Sequence, residues 1–469
     1  MQDKFNIPLN LREKSASRIS MIASVIALVV LVLIFHQLDY NMVRKPAREA
    51  VQAAQEKKEA EEKAANEVIV DRATIAAAGD NIYYARIYES GHYATSDTWN
   101  YDHVYENVKS TISAADLALI CQETVLTDYH DGLSSYPNFA TPVEVGDAIV
   151  KAGFDVVACA SDHVNDFGAG YLRQTLKFWR EKHPETTILG IHEEAEEPGS
   201  IRSVTVNDIS ITFLNYTFGS QNSLAGEGTS DMVNVLEEKK VAEMIESVKP
   251  YSDCIVFIAH WGDDGSITPN EYQKEWANFL LKQGVHVLIG SHPHVLQPYG
   301  RMSDTEGHEM VVFYSLGAFV SSLQSVDEII GGIAKFTIER SIKDGVGTIR
   351  ILDPYIEPTV MHYVYESNTY SPYLLSRYTD QLADIHSIKE YAGENITVDK
   401  LKVRFDEIMR QNVEPSAKTD FLDDGASANA AESADDGSGD YDSNYDYDSG
   451  YDYDSGYDYD YDYDSDYYN

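Results

Sequence analysis

VHVLIGSHPH, residues 285 to 294, joins a largely continuous apolar run to a loop carrying two histidines, His292 and His294. A short stretch that is apolar at consecutive positions is the pattern of a β-strand buried on both faces. The pattern recurs upstream. ATIAAAG runs into Asp80, ADLALI is followed by Glu123, DVVACA by Asp162 and His163, and CIVFIA runs into His260. Between these runs lie helical patterns such as TPVEVGDAIVKAG (141–153) and TPNEYQKEWANFLLKQG (268–284). The order strand, helix, strand predicts an α/β fold, in which binding residues collect where strands end and loops begin.

Five successive strand ends thus each deliver an Asp, Glu or His. Carboxylates with imidazoles suit zinc or another transition metal, and a site that activates water needs several of them converging. Asp80, Glu123, Asp162, His260, His292 and His294 are enough donors for two divalent ions, with Mn, Fe or Zn as the candidates. Each residue taken alone has an ordinary alternative, because strand-end Asp and His also cap helices or satisfy loop backbone. Five repeats of one pattern are harder to assign to capping. His286, inside the run, reads as a strand residue rather than a ligand.

The chain carries 77 acidic against 36 basic residues, a formal net charge of -41. Such a surface repels a polyanion, which argues against nucleic acid as a partner. Seventeen of those net negatives lie beyond residue 418, where the chain becomes YDSNYDYDSGYDYDSGYDYDYDYDSDYYN. Dense like charge without packable aliphatics predicts a disordered acidic tail over 413–469. Cys121, Cys159 and Cys254 have no metal-type spacing and read as buried free thiols.

At the other end, ISMIASVIALVVLVLIFHQL (19–38) has no formal charge and the length of a transmembrane helix. A cleaved signal peptide competes with that reading, but FHQLDYNMVRK lacks the small residues a signal peptidase needs. The segments expected are therefore a cytoplasmic stretch over 1–18, a single membrane pass over 19–38 and a solvated helical stalk over 39–67. An extracellular domain over 68–365 and a helical extension over 366–412 follow.

Further motifs fall between these strand ends: SDHVNDFG at 161–168, HWG at 260–262, GSHPHVLQP at 290–298 and YSLGAFV at 314–320. Together with Gly79-Asp80 and Gln122-Glu123 they closely resemble the CapA or PgsA family of capsule-synthesis proteins linked to poly-γ-glutamate. That family looks like a branch of the calcineurin-like metallophosphatases. The resemblance implies two β-sheets packed as a sandwich and flanked by helices, with two metals at the strand ends. It also implies Asp80, Glu123, Asp162, His260, His292 and His294 as ligands, and His163 as the acid protonating a leaving group. Ala140 and Ala318 stand where the family usually has Arg and Asn, groups of the kind that hold an anionic substrate.

The resulting expectation is a membrane-anchored metal-dependent hydrolase in the synthesis, export or anchoring of an anionic capsule polymer such as poly-γ-glutamate. Its partners would be the membrane, that polymer or its precursor, and capsule synthase subunits. The alternative is a non-catalytic scaffold or polymer-binding subunit of a synthase complex. A surface adhesin, suggested by the Tyr-Asp tail alone, ranks below both.

Overall fold

The computed structural model describes residues 9–65, 68–193, 203–219, 231–393 and 395–411. The predicted acidic tail, 413–469, lies outside them. The N-terminal apolar run forms the helix Leu9–Asp39, and a π-helical turn at Tyr40–Arg44 leads into a second helix, Lys45–Ala65. One helix here is long and apolar enough to cross a membrane. Its Ile, Leu and Val side chains from Ile19 to Leu38 are exposed, which costs nothing only where water does not surround them.

His92–Tyr93 with Thr98–Trp99 and Val125–Thr127 with Ala140–Pro142 make two two-stranded pairs, and the remaining strands form two large sheets. The first is ordered Thr369–Leu374, Val346–Val364, Ile330–Lys343, Ile69–Asn81, Leu117–Gln122, Val156–Ala158, Thr187–Leu189, and the short strand Ala318–Val320 pairs beside the end of Ile69–Asn81. The second is ordered Tyr299–Ser303, Glu309–Phe313, Val287–Ser291, Cys254–His260, Ile209–Thr217, Val204–Val206. Within each sheet the strands that end at the predicted residues run parallel, so their carboxyl ends share one edge. Helices connect them, as the strand-helix-strand order predicts.

Continuous apolar runs arise because the strands are covered on both sides. Along Cys254–His260, Cys254, Val256 and Ile258 enter the core shared with the first sheet. The intervening Ile255, Phe257 and Ala259 join a second core with Met244 and Ile245 of the helix Glu238–Val248 and Leu280 of the helix Glu271–Lys282. That last helix starts with a capping box, in which Asn270 accepts from Gln273 N and the Gln273 side chain accepts from Asn270 N. Gly153 closes the helix Glu144–Ala152 with a φ of 105°. Cys121, Cys159 and Cys254 are buried free thiols.

One expectation needs correction. The segment read as a helical extension begins with a strand, Thr369–Leu374, antiparallel to Val346–Val364. It lies at the edge of the first sheet, the place where a strand tolerates Pro372. Helices Asp380–Ile385, Lys389–Ala392 and Val398–Met409 follow, and Arg404 pins the last of them through a paired contact of 2.7 and 2.8 Å to Asp327.

Candidate metal centre

Two glycines let the segment that follows Phe313 approach the strand ends. A Cβ on Gly79 would lie 2.0 Å from Gly317 O, and one on Gly290 would lie 1.8 Å from Tyr314 O. Backbone therefore comes closer than any other residue permits, immediately before Asp80 and Ser291. The Asp80 N–H donates to Gly317 O at 3.0 Å, and Ala160 N donates to Asn215 Oδ1 across the sheets at 2.7 Å. Asp80, Glu123, Asp162 and His163 come from the first sheet, and His260, His292 and His294 from the second.

All seven are buried, each at most 8% exposed. His260 Nε2 lies 2.9 Å from Asp162 Oδ1, and His292 Nδ1 lies 3.7 Å from Asp162 Oδ2. His294 Nε2 is 3.2 Å from both Glu123 oxygens, while the His292 N–H donates to Asp80 Oδ2 at 3.1 Å. Donor atoms of Asp162, His260 and His292 lie within 4.8 Å of one another, as do those of Asp80, Glu123 and His260, and of Glu123, Asp162 and His163. His292 and His294 hold φ values of 95° and 56°, strained for side chains of this size and typical of functional loops.

The donor set fits divalent cations. Asp80 Oδ1 and His292 Nδ1 are buried and have no hydrogen-bond partner. Such orphaned atoms are costly unless something else coordinates them. Burial, followed by the neighbouring Glu123 charge, raises the Asp80 pKa well above the ordinary carboxylate range. Burial opposes ionisation of Glu123 and Asp162 too, but His294 in one case and His260 and His292 in the other pull both pKa values down. Burial likewise disfavours the His294 imidazolium, yet Glu123 and Asp264 hold its pKa well above the usual value. An ion entering between His294 and Glu123 would displace that proton, the usual coupling of metal binding to proton release. His286 lies outside the cluster, as expected, and its Nδ1 accepts from Ile255 N at 3.1 Å.

The sequence profile of a family described as "Bacterial capsule synthesis protein PGA_cap" matches residues 74–323, the stretch that holds all seven residues. The chain belongs to this family. It is similar to the PGA biosynthesis protein CapA of Bacillus subtilis (strain 168), 28% identical over 167 residues, 36% of this chain and 42% of that protein. It is also similar to the capsule biosynthesis protein CapA of Bacillus anthracis, 27% identical over 177 residues, 37% of this chain and 41% of that protein. The matches thus span about two fifths of those relatives. Among solved structures, the calcineurin-like phosphoesterase YfkN of Bacillus subtilis covers 71% of this chain and all of its own (13% identity, TM-score 0.36). The 5'-nucleotidase precursor of Thermus thermophilus covers 60% of this chain and 54% of its own (12% identity, TM-score 0.35). Likeness at that level says nothing about the reaction.

Three side chains around the PGA_cap cluster escaped the reading of the sequence. Asp166 lies 2.8 Å from His163 Nδ1 through its Oδ2. Burial lowers the His163 pKa, but the Asp166 hydrogen bond and the Asp162 and Glu123 charges push it up to about 9. Ser291 Oγ is 3.0 Å from His260 Nδ1, and Asp264 Oδ1 is 3.0 Å from His294 Nδ1. The only sequence signal was proximity to a predicted residue, as Asp166 is three positions beyond His163 and Ser291 one before His292.

Proposed function

We propose that this protein is a membrane-anchored hydrolase acting on an anionic capsule polymer such as poly-γ-glutamate, or on its precursor, during synthesis, export or anchoring. The names of the two CapA relatives supply the polymer class. The observation that carries the catalytic part is the convergence of three buried carboxylates and three imidazoles beside His163, whose Nδ1 faces Asp166. Asp80, Glu123, Asp162, His260, His292 and His294 would hold two divalent ions, Mn, Fe or Zn. When bound, such ions stabilise negative charge developing on a phosphoester or acyl centre and make water a better nucleophile. With Nδ1–H donated to Asp166, the imidazolium form of His163 carries its second proton on Nε2 and delivers that one to the leaving group. Phe139, edge-on to His163 with ring centroids 4.7 Å apart, shields that ring from water. Residues 1–18 stay in the cytoplasm, 19–38 cross the membrane, and the domain lies outside, where it meets the polymer and capsule synthase subunits.

The second reading, a non-catalytic scaffold, draws on Ala140 and Ala318, which leave two expected polar anchors missing from the site wall. Ala318 donates its N–H to His294 O at 3.0 Å and pairs in register with Asp80. The two readings part on His163→Ala. A hydrolase loses about 10²- to 10⁴-fold in turnover of model phosphoesters, and loses polymer output, while keeping its fold and metal. A metal-loaded His163→Ala protein with normal polymer yield would sink the catalytic reading and leave the scaffold.

A further inference from the structure

We propose that Asp264 is the positioning residue of the metal centre, fixing which nitrogen of His294 faces Glu123 and raising the affinity for the ion that His294 holds. The inference rests on His294 being a ligand, as the proposed function requires.

The geometry is one-sided. His294 Nε2 points inward, 3.2 Å from both oxygens of Glu123, and Nδ1 points outward, 3.0 Å from Asp264 Oδ1. A carboxylate behind an imidazole keeps the proton on the outer nitrogen, leaves the inner lone pair free and makes it more basic. His260 has only the neutral Ser291 hydroxyl in the corresponding place, at 3.0 Å. Asp264 is itself anchored to the histidine loop, because the next residue, Gly265, donates its N–H to Pro293 O at 2.9 Å. Holding the ring from outside matters here, since His294 sits at a φ of 56°, from which a bulky side chain readily relaxes. The Asp264 side chain is 62% exposed, so removing it opens no cavity in the core.

The test uses the full-length protein in detergent, stripped of metal and titrated with Mn²⁺ and separately with Zn²⁺. Asp264→Ala should weaken one class of bound ion by about 10- to 100-fold and leave the rest of the binding unchanged. Asp264→Glu should recover part of the loss. Melting of the metal-free variant should match that of the parent, which separates positioning from folding. In a His294→Ala background Asp264→Ala should have no further effect, because the two act through one ring. Metal affinity unchanged by Asp264→Ala, or equally reduced with and without His294, would overturn the proposal. Absence of metal binding by the unaltered protein would instead remove the metal reading, and the proposal with it.

Discussion

Asp166 Oδ2 stands 2.8 Å from His163 Nδ1 and at the same time accepts the backbone N–H of Phe139 at 2.7 Å. One carboxylate oxygen therefore both orients the proposed acid and ties down the segment that shields it. Asp166→Asn should keep the backbone contact and lose the charge, lowering turnover at least about tenfold but less than removal of the imidazole. The acid form of His163 persists below a pKa of about 9, so activity falls as pH rises through that range. Asp166→Asn should move this alkaline limb to lower pH at equal metal loading. Coincident pH profiles for the two proteins would show that Asp166 does not act on the ring.

Asp80 illustrates stability given up for a site. Its folded pKa lies above the unfolded value, so the metal-free fold is penalised at neutral pH and gains stability as pH falls through the folded pKa. Asp80→Asn should therefore melt higher than the parent without metal and lose most of the stabilisation that added Mn²⁺ or Zn²⁺ gives the parent. Scanning calorimetry of both proteins, with and without metal, checks both halves.

Two buried histidines far from this cluster set the acid limit. Burial pushes His362 down to about 4 and His386 down to about 3, and their rings pack 5.1 Å apart. The unfolded chain takes up these protons near pH 6.5 while the folded one does not, so stability drops from about pH 6.5 toward 4. His362→Gln keeps a partner for the Tyr378 hydroxyl, 2.8 Å from Nδ1, and should flatten that slope in urea titrations at pH 7, 6 and 5. A slope as steep as the parent's would assign the acid sensitivity elsewhere.

Gly290→Ala should be severely destabilising, by roughly 3 kcal/mol or more, because its Cβ would overlap Tyr314 O and Trp261 Nε1. Gly300→Ala, where nothing lies within 4 Å of an added Cβ, should change stability by less than about 1 kcal/mol. Denaturant midpoints of the two variants give the comparison.

Removing residues 1–44 should shift the protein from the membrane pellet to the soluble fraction, since it deletes the apolar helix and the π-turn but keeps the Lys45–Ala65 helix. Continued pelleting after high-salt washing would mean that another surface binds the membrane.

Much of the architecture was legible because burial writes itself into composition. Strands covered on both faces are apolar at nearly every position, so CIVFIA and VHVLIG stood out, and the polar residues after each run were expected at a sheet edge. Since parallel strands put those edges side by side, Asp80, Glu123, Asp162, His260, His292 and His294 could be listed as candidates from order, while the role of His163 came only from the family resemblance. The strand Thr369–Leu374 was not legible, because at a sheet edge its pairing with Val346–Val364 demands little of its own sequence.

What the chain determined by itself was therefore the set of strand ends and the residue types they carry, both dictated by local hydrophobic pattern. What only the tertiary structure decided was which atom faces which. The packing of Gly79 against Gly317 and Gly290 against Tyr314 brings the segment that follows Phe313 onto both strand ends. The left-handed backbone at His292 and His294 then aims their rings, and Asp166, Ser291 and Asp264 select the ring nitrogen left for the site. Those relations join loops that pack together only in the fold, so no periodicity in the sequence records them.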